Sequence, residues 1–255
     1  MEYILKRLKF TAKEAMTATN LKLFFVFCVW VIVYLPITIF ATIGINNKPS
    51  WKLFTWIVND IYEVTLFVFT FLVTIFVEVR IKYITKLIKK FAKSKIISTE
   101  DFEATTKFIR FLKESVDQFN TVFGYPIFIF LTASLLQLIK YVFFLIYGHA
   151  EHTTQIMYGV QNLIQQGMTI LIITRCDSVE KIGKKMYKTC YKLHEKMKSY
   201  DMKQQFFVLG EYAENLAPQF YTPLYGHINR QTFNVLIAVF VDALVILIQF
   251  QMSLK

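Results

Sequence analysis

The sequence predicts an all-α polytopic membrane protein with five transmembrane helices and long helical extensions on the cytoplasmic side. Three observations predict it. Of 255 residues, 55% are apolar and 17% aromatic, above the roughly 45–50% apolar share of a soluble domain, and the mean hydropathy is +0.42. The apolar residues are gathered in five runs, each near the ~20 residues a helix needs to cross a hydrocarbon core of about 30 Å. The basic residues are gathered between those runs, almost all on one side. Gly (8) and Pro (5) are too scarce for a disordered, collagen-like or turn-rich all-β chain. Five apolar runs leave too little polar chain to cover them as the core of a soluble protein. In hydrocarbon, only helices satisfy their own backbone without closing a barrel.

The first run, residues 23–43 (LFFVFCVWVIVYLPITIFATI), carries no charge, and Pro36 would kink it. It begins well after the terminus and no small-residue cleavage site follows, so it reads as a span and not a signal peptide. The second, 54–79, holds Asp60 and Glu63 in its first third, ahead of the clean run TLFVFTFLVTIFV. The third, 122–147, carries one charge, Lys140. The fourth, 156–174, is the least apolar, interrupted by Gln161, Asn162, Gln165 and Gln166. The fifth, 233–250 (FNVLIAVFVDALVILIQF), is apolar apart from Asn234, Asp242 and Gln249. All five belong to a single membrane domain, 1–255, in which 80–120 and 176–231 are the cytoplasmic helical segments.

Those two segments are amphipathic. Ile81, Ile84, Leu87, Ile88 and Phe91 recur at helical spacing, so the second span is expected to continue as a helix. Ser98-Thr99-Glu100-Asp101 offers an N-cap with acidic first-turn residues. The next stripe is Phe102, Phe108, Ile109, Leu112, Val116 and Phe119, and a third runs through Val179, Ile182, Met186, Cys190, Leu193 and Met197. Stripes this long, directly continuous with spans, are expected to pack as a helical bundle where subunits could meet. No internal repeat or low-complexity tract interrupts the chain.

The net charge of +11 suggests nucleic acid until its distribution is read. Lys6, Arg7, Lys9, Lys13 and Lys22 precede the first span; ten basic residues lie in 80–113 and another ten in 175–230. The other side has Lys48, Lys52 and Lys255, and the loop GHAEHTTQ has none. Positive-inside bias makes the N-terminus cytoplasmic and the C-terminus extracellular. The charge is explained by orientation and lipid headgroups, and nucleic-acid binding has no remaining support.

No nucleophile elbow, phosphate loop, zinc-protease helix or CxxC pair is present, so no enzyme, cofactor or metal site is expected. Cys28, Cys176 and Cys190 form no disulfide pattern. His149 and His152 belong to a solvated loop, and His194 and His227 are isolated. The informative residues are polar ones inside the spans, which cost on the order of 2.5–3.5 kcal/mol each at mid-membrane unless partnered. Given the topology, Asp60, Glu63, Lys140, Gln161, Asn162, Gln165 and Gln166 share one depth near the extracellular side. They are candidates for a polar ligand pocket. Interhelical hydrogen bonds and a Lys140–carboxylate pair are the plainer explanation, and both readings stand. In the last span Asp242, Val245 or Ile246, and Gln249 recur at three and four, one polar stripe suited to a water-filled path shared between subunits.

VDALVILIQFQ closely resembles the terminal signature of insect gustatory receptors, a Thr-Tyr pair, five apolar residues and Gln-Phe. Residues 244–248 supply the apolar five, and Gln249 and Phe250 match; Asp242 and Ala243 stand where Thr and Tyr are usual. Gly226-His227-Ile228-Asn229 is similar to the family's step into its last span. Arg175-Cys176 with Glu180 is similar to the end of its sixth span, and Phe119-Asn120 with Phe123-Gly124 to the start of its fifth. The resemblance covers almost the whole chain and implies seven spans, of which the five here match the third to the seventh; an incomplete gene model, a truncated form or a genuinely short receptor would each lack the first two. It implies a tetrameric ligand-gated cation channel of the plasma membrane. The small-molecule tastant would bind in an extracellular-side pocket. A pore would be lined by the last helix through Asp242, Ile246, Gln249 and Phe250. The expected partners are the lipid bilayer and like or unlike receptor subunits. Rival expectations are an insect olfactory receptor subunit, a non-conducting truncated subunit and a secondary transporter.

Overall fold

The computed structural model describes residues 51–93, 98–147 and 152–253. The predicted first span, 23–43, and the basic residues before it lie outside the described residues. Most of the described chain is helical, and it holds one small hairpin. In order it forms α1 (Trp51–Phe91), α2 (Thr99–Tyr147), α3 (His152–Lys196), α4 (Tyr200–Asn215), the paired two-residue strands β1 (Tyr221–Thr222) and β2 (Gly226–His227), and α5 (Arg230–Ser253).

Three of these helices, α1, α2 and α5, are long and apolar enough to cross a membrane. The helix holding the predicted fourth span, α3, is not among them. Its apolar stretch is diluted by the same Gln and Asn residues the sequence flagged.

The predicted spans do not end where hydrophobicity ends. The helices α1, α2 and α3 run unbroken for 41, 49 and 45 residues, joining each apolar run to its amphipathic extension. Ser98 caps α2 as expected, its Oγ accepting from the Asp101 N–H at 3.1 Å, with Glu100 and Asp101 in the first turn.

Contacts divide the chain into two compact units. One contains Phe71–Gly124 and Arg175–Tyr221. Its core is built from the three predicted stripes: Ile81, Ile84 and Ile88 of α1, Ile109, Leu112 and Val116 of α2, and Val179, Met186 and Cys190 of α3 are all buried. The helix α4 adds Met202, Phe206, Leu209 and Ala213, a fourth stripe. Where α4 passes α3, a Cβ on Gly210 would stand 2.9 Å from the Tyr191 ring, so glycine is what allows this close approach. The pair Glu78–Arg175, at 2.6 Å, ties α1 to α3 in the same unit.

The second unit contains α1 up to Thr70, Tyr125–Thr174, and the chain from Thr222 onward. Its interior mixes apolar residues such as Leu66, Phe130, Leu131 and Ile172 with polar ones, and its outside is rich in large apolar side chains. Asp60, Glu63, Thr70, Ser134, Asn162, Gln165 and Thr169 are buried, whereas Phe69, Ile129, Leu136, Leu163, Ile170 and Leu171 are exposed, Leu163 at 76%. Large apolar side chains on the outside, with polar ones held within, suit a surrounding that is itself apolar.

Candidate functional site

Hydrogen bonds first fix the interior of the second unit. Glu63, on α1, accepts from Asn59 Nδ2 at 3.0 Å, one turn earlier, and from Gln165 Nε2 of α3 at 3.1 Å. Gln166 Nε2 donates to the Ser134 carbonyl of α2 at 2.8 Å, and the Thr169 hydroxyl bonds the Ser134 hydroxyl at 2.8 Å. The adjacent Gln165 and Gln166, about 100° apart around the helix, thus link α3 to two different helices. For Glu63, Gln165 and Gln166 the interhelical explanation is the one the coordinates describe, and none of the three lines the cavity.

The cavity, about 470 Å³, is lined by Asn59 and Asp60 of α1, by Gln137, Lys140, Tyr141 and Phe144 of α2, and by Tyr158, Gln161 and Asn162 of α3. That volume falls in the roughly 300–1,000 Å³ of small-molecule sites. The helices α2 and α3 contribute residues of one face, at spacings of three and four, and α1 contributes two neighbours. Four predicted residues, Asp60, Lys140, Gln161 and Asn162, therefore come together. Asn162 Nδ2 donates to the Tyr158 carbonyl at 3.1 Å, and its Oδ1 is buried with no hydrogen-bond partner, an acceptor available to a donor group. Phe144 and Tyr158 meet edge to face at 5.6 Å. A Cβ on Gly159 would lie 2.6 Å from the Tyr141 hydroxyl, so the missing side chain at 159 makes room for Tyr141.

One expectation is corrected. Lys140 makes no ion pair with Asp60 or Glu63; its side chain is exposed while theirs are buried. A long cationic stem keeps its head toward solvent rather than pay desolvation. Sequence reasoning also missed Asn59, Gln137, Tyr141, Phe144 and Tyr158. The signal was present: Gln137, Lys140, Tyr141 and Phe144 repeat at i, i+3, i+4 and i+7, and Tyr158 stands three and four residues before Gln161 and Asn162.

The segment before the last helix is held in each unit by contacts of its own. Asn120 Nδ2 donates to the Gln219 carbonyl at 2.8 Å and its Oδ1 accepts from the Tyr221 N–H at 3.3 Å. Phe119 stacks on Phe123 at 5.1 Å and meets the Phe220 ring edge at 5.4 Å. Further on, Tyr225 packs on Phe128 at 5.1 Å and shares a 3.1 Å hydrogen bond with Thr132. Gly226 has φ +69°, the only positive φ among the described residues, where a side chain would be strained. Asn229 then caps α5, its Oδ1 accepting from the Gln231 N–H at 2.9 Å, while the Thr232 hydroxyl donates to the His227 carbonyl at 2.7 Å.

Along α5, Thr232 and Leu236 are buried, and Phe240, Ala243, Leu244 and Leu247 are half-buried, one continuous face. The stripe of Asp242, Ile246 and Gln249 points the other way. All three are exposed, as is Phe250 at 66%, and neither Asp242 nor Gln249 has a hydrogen-bond or ion-pair partner among the described residues. Of the apolar stretch of α5, 6% is buried, against 44% for α1.

Compared with protein-family models and with curated proteins, the chain matches none.

Proposed function

We propose that the chain is a subunit of a tastant-gated cation channel of the gustatory-receptor type. In this reading it crosses the plasma membrane with its N-terminus cytoplasmic and its C-terminus extracellular. The observation that carries the reading is the polar stripe of α5, which faces away from the chain's own body. A carboxylate and a carboxamide on a largely apolar helix are costly against lipid, so the stripe needs water or other copies of the helix. Several subunits arranged around an axis supply both, with Asp242 forming an acidic ring that favours cations and Gln249 and Phe250 toward the extracellular end.

The large apolar side chains on the outside of the second unit, with polar ones turned inward, support a bilayer around it, and support counting the first half of α3 as a span. Average hydropathy registers the Gln and Asn residues of α3 but not that they face inward while Leu163, Ile170 and Leu171 face out. The cavity of Asp60, Lys140, Gln161 and Asn162 would then open near the extracellular face and receive the ligand. A secondary transporter, built on helices broken at mid-membrane, fits less well with α1, α2 and α3, each unbroken over 41 residues or more.

Whole-cell recording under a panel of sugars, amines and alkaloids tests the channel. A ligand-dependent cation current supports it. Surface-expressed protein that carries no current, alone or with co-expressed receptor subunits, overturns it.

A further inference from the structure

The first unit contains a second cavity with a different chemistry. It is about 860 Å³ and lies between the end of α1 and the second half of α3, again within the roughly 300–1,000 Å³ of small-molecule sites. Lys89 and Lys93 line it from α1, and Lys185, Lys188, Lys192 and Lys196 from α3. Lys181 and Lys184, also lining it, are paired with Asp177 and Glu180. The other six have no acidic partner among the described residues. Apolar Ala92, Leu193 and Met197, with Thr189, complete the lining.

Orientation in a membrane needs lysines near the spans, but it does not need them to converge. On α3 they repeat at three and four, so like charges stand on successive turns of one face, an arrangement that weakens a helix. A second helix then brings two more to the same concavity. A cleft lined by one sign of charge with apolar walls focuses its field and concentrates counter-ions. Compact Lys ammonium groups suit phosphate as point charges.

We propose that this groove binds a compact soluble polyphosphate, a small molecule carrying several phosphate groups, such as an inositol polyphosphate. Resting on the membrane reading above, distance separates the soluble ligand from a lipid headgroup. At ~1.5 Å of rise per residue, Lys89 lies roughly 15 Å along α1 beyond the apolar run ending at Val79, and Lys196 roughly 33 Å along α3 beyond Thr174. The headgroup layer extends only about 5–8 Å beyond the hydrocarbon. The groove therefore stands in the cytosol, above the reach of a lipid that stays in its leaflet. The ligand would neutralise the lysine face and hold α1 and α3 together at their ends.

Titration of the purified full-length chain in detergent with inositol hexakisphosphate, at physiological salt, tests this without requiring channel activity. Saturable binding is expected, with inorganic phosphate unable to compete at equal concentration. The double variant Lys188→Gln/Lys192→Gln should weaken binding about tenfold or more, as expected for losing charge-assisted contacts. Lys86→Gln/Lys90→Gln, the same charge change on residues of α1 outside the groove, should change it less than about twofold by screened long-range attraction. Equal weakening by both variants, or no saturable binding by protein with an intact helical circular dichroism spectrum, would overturn the site. Binding to vesicles containing phosphatidylinositol bisphosphate that hexakisphosphate does not displace would overturn the soluble ligand. Because no step depends on current or tastant, a failed channel recording and a failed titration are separate results.

Discussion

At the scale of single residues, the cavity wall separates two kinds of polar side chain that the sequence alone could not. Gln161, Asn162, Gln165 and Gln166 read alike in a row of letters, yet two line a cavity and two tie helices together. Rotation by about 100° per residue decides this, and the registry of three packed helices is not written in one of them. Gln165→Leu should therefore cost stability rather than ligand response. It leaves the Glu63 carboxyl without one donor, a loss of about 1–3 kcal/mol, read as a lower unfolding temperature with an unchanged dose–response midpoint. Gly159→Ala should do the reverse, displacing the Tyr141 side chain and shifting the midpoint while stability changes little. If Gly159→Ala leaves the midpoint unchanged, Tyr141 does not touch ligand.

Another residue-scale outcome concerns Cys190. Burial pushes its thiol from an ordinary 9 up to about 12. With Cys28 and Cys176 replaced by Ser, the folded protein should not react with a maleimide at pH 8, and should react once denatured. The unfolded thiol releases its proton near pH 9 and the folded one does not until about 12. The unfolded chain thus binds fewer protons in that window, and stability falls as pH rises through it. Replacing Cys190 by Ala should remove that contribution to the alkaline slope, measured by thermal unfolding between pH 8 and 11.

At the scale of elements, the helices and their buried faces were the most legible part. The stripes around Ile84, Leu112 and Met186 predicted a bundle because burial repeats with the helical period, and those residues form its core. Two features escaped for physical reasons. The hairpin of β1 and β2 has strands too short to leave a periodic signal, and its one local mark is Gly226. The connection held by Asn120 is also invisible in sequence, since its partners are a hundred residues away. Asn120→Ala should destabilise the protein by about 1–3 kcal/mol through two unmet backbone groups. Asn120→Asp, which keeps the shape but sets a carboxylate against the Gln219 carbonyl, should do more harm. Unfolding temperatures that rank Asp above Ala would remove the hydrogen bond to Gln219 from the account.

At the scale of the whole molecule, topology and assembly decide what α5 is for. A tag inserted at Gly148 should be labelled on intact cells, because the loop of 148–155 lacks basic residues while 80–113 has ten; labelling only after permeabilisation would invert the chain and with it the direction of the pore. With the outside fixed, α5 exposes Asp242, Ile246 and Gln249 along one face and packs Leu236 and Leu247 on the other. A helix that faced only lipid would gain nothing from a carboxylate on its outer side. The gain comes only when neighbouring copies enclose water around it. Asp242→Asn keeps size and polarity and removes the charge, so assembly should survive while the field acting on permeant ions disappears. The reversal potential under asymmetric chloride and sodium gradients should then move toward reduced cation preference. A matching change at Asn234, at the other end of the helix and off that face, should leave it where it was. Identical reversal potentials for wild type and Asp242→Asn, at equal surface expression, would take the carboxylate out of the conducting path and leave the stripe as a contact between subunits.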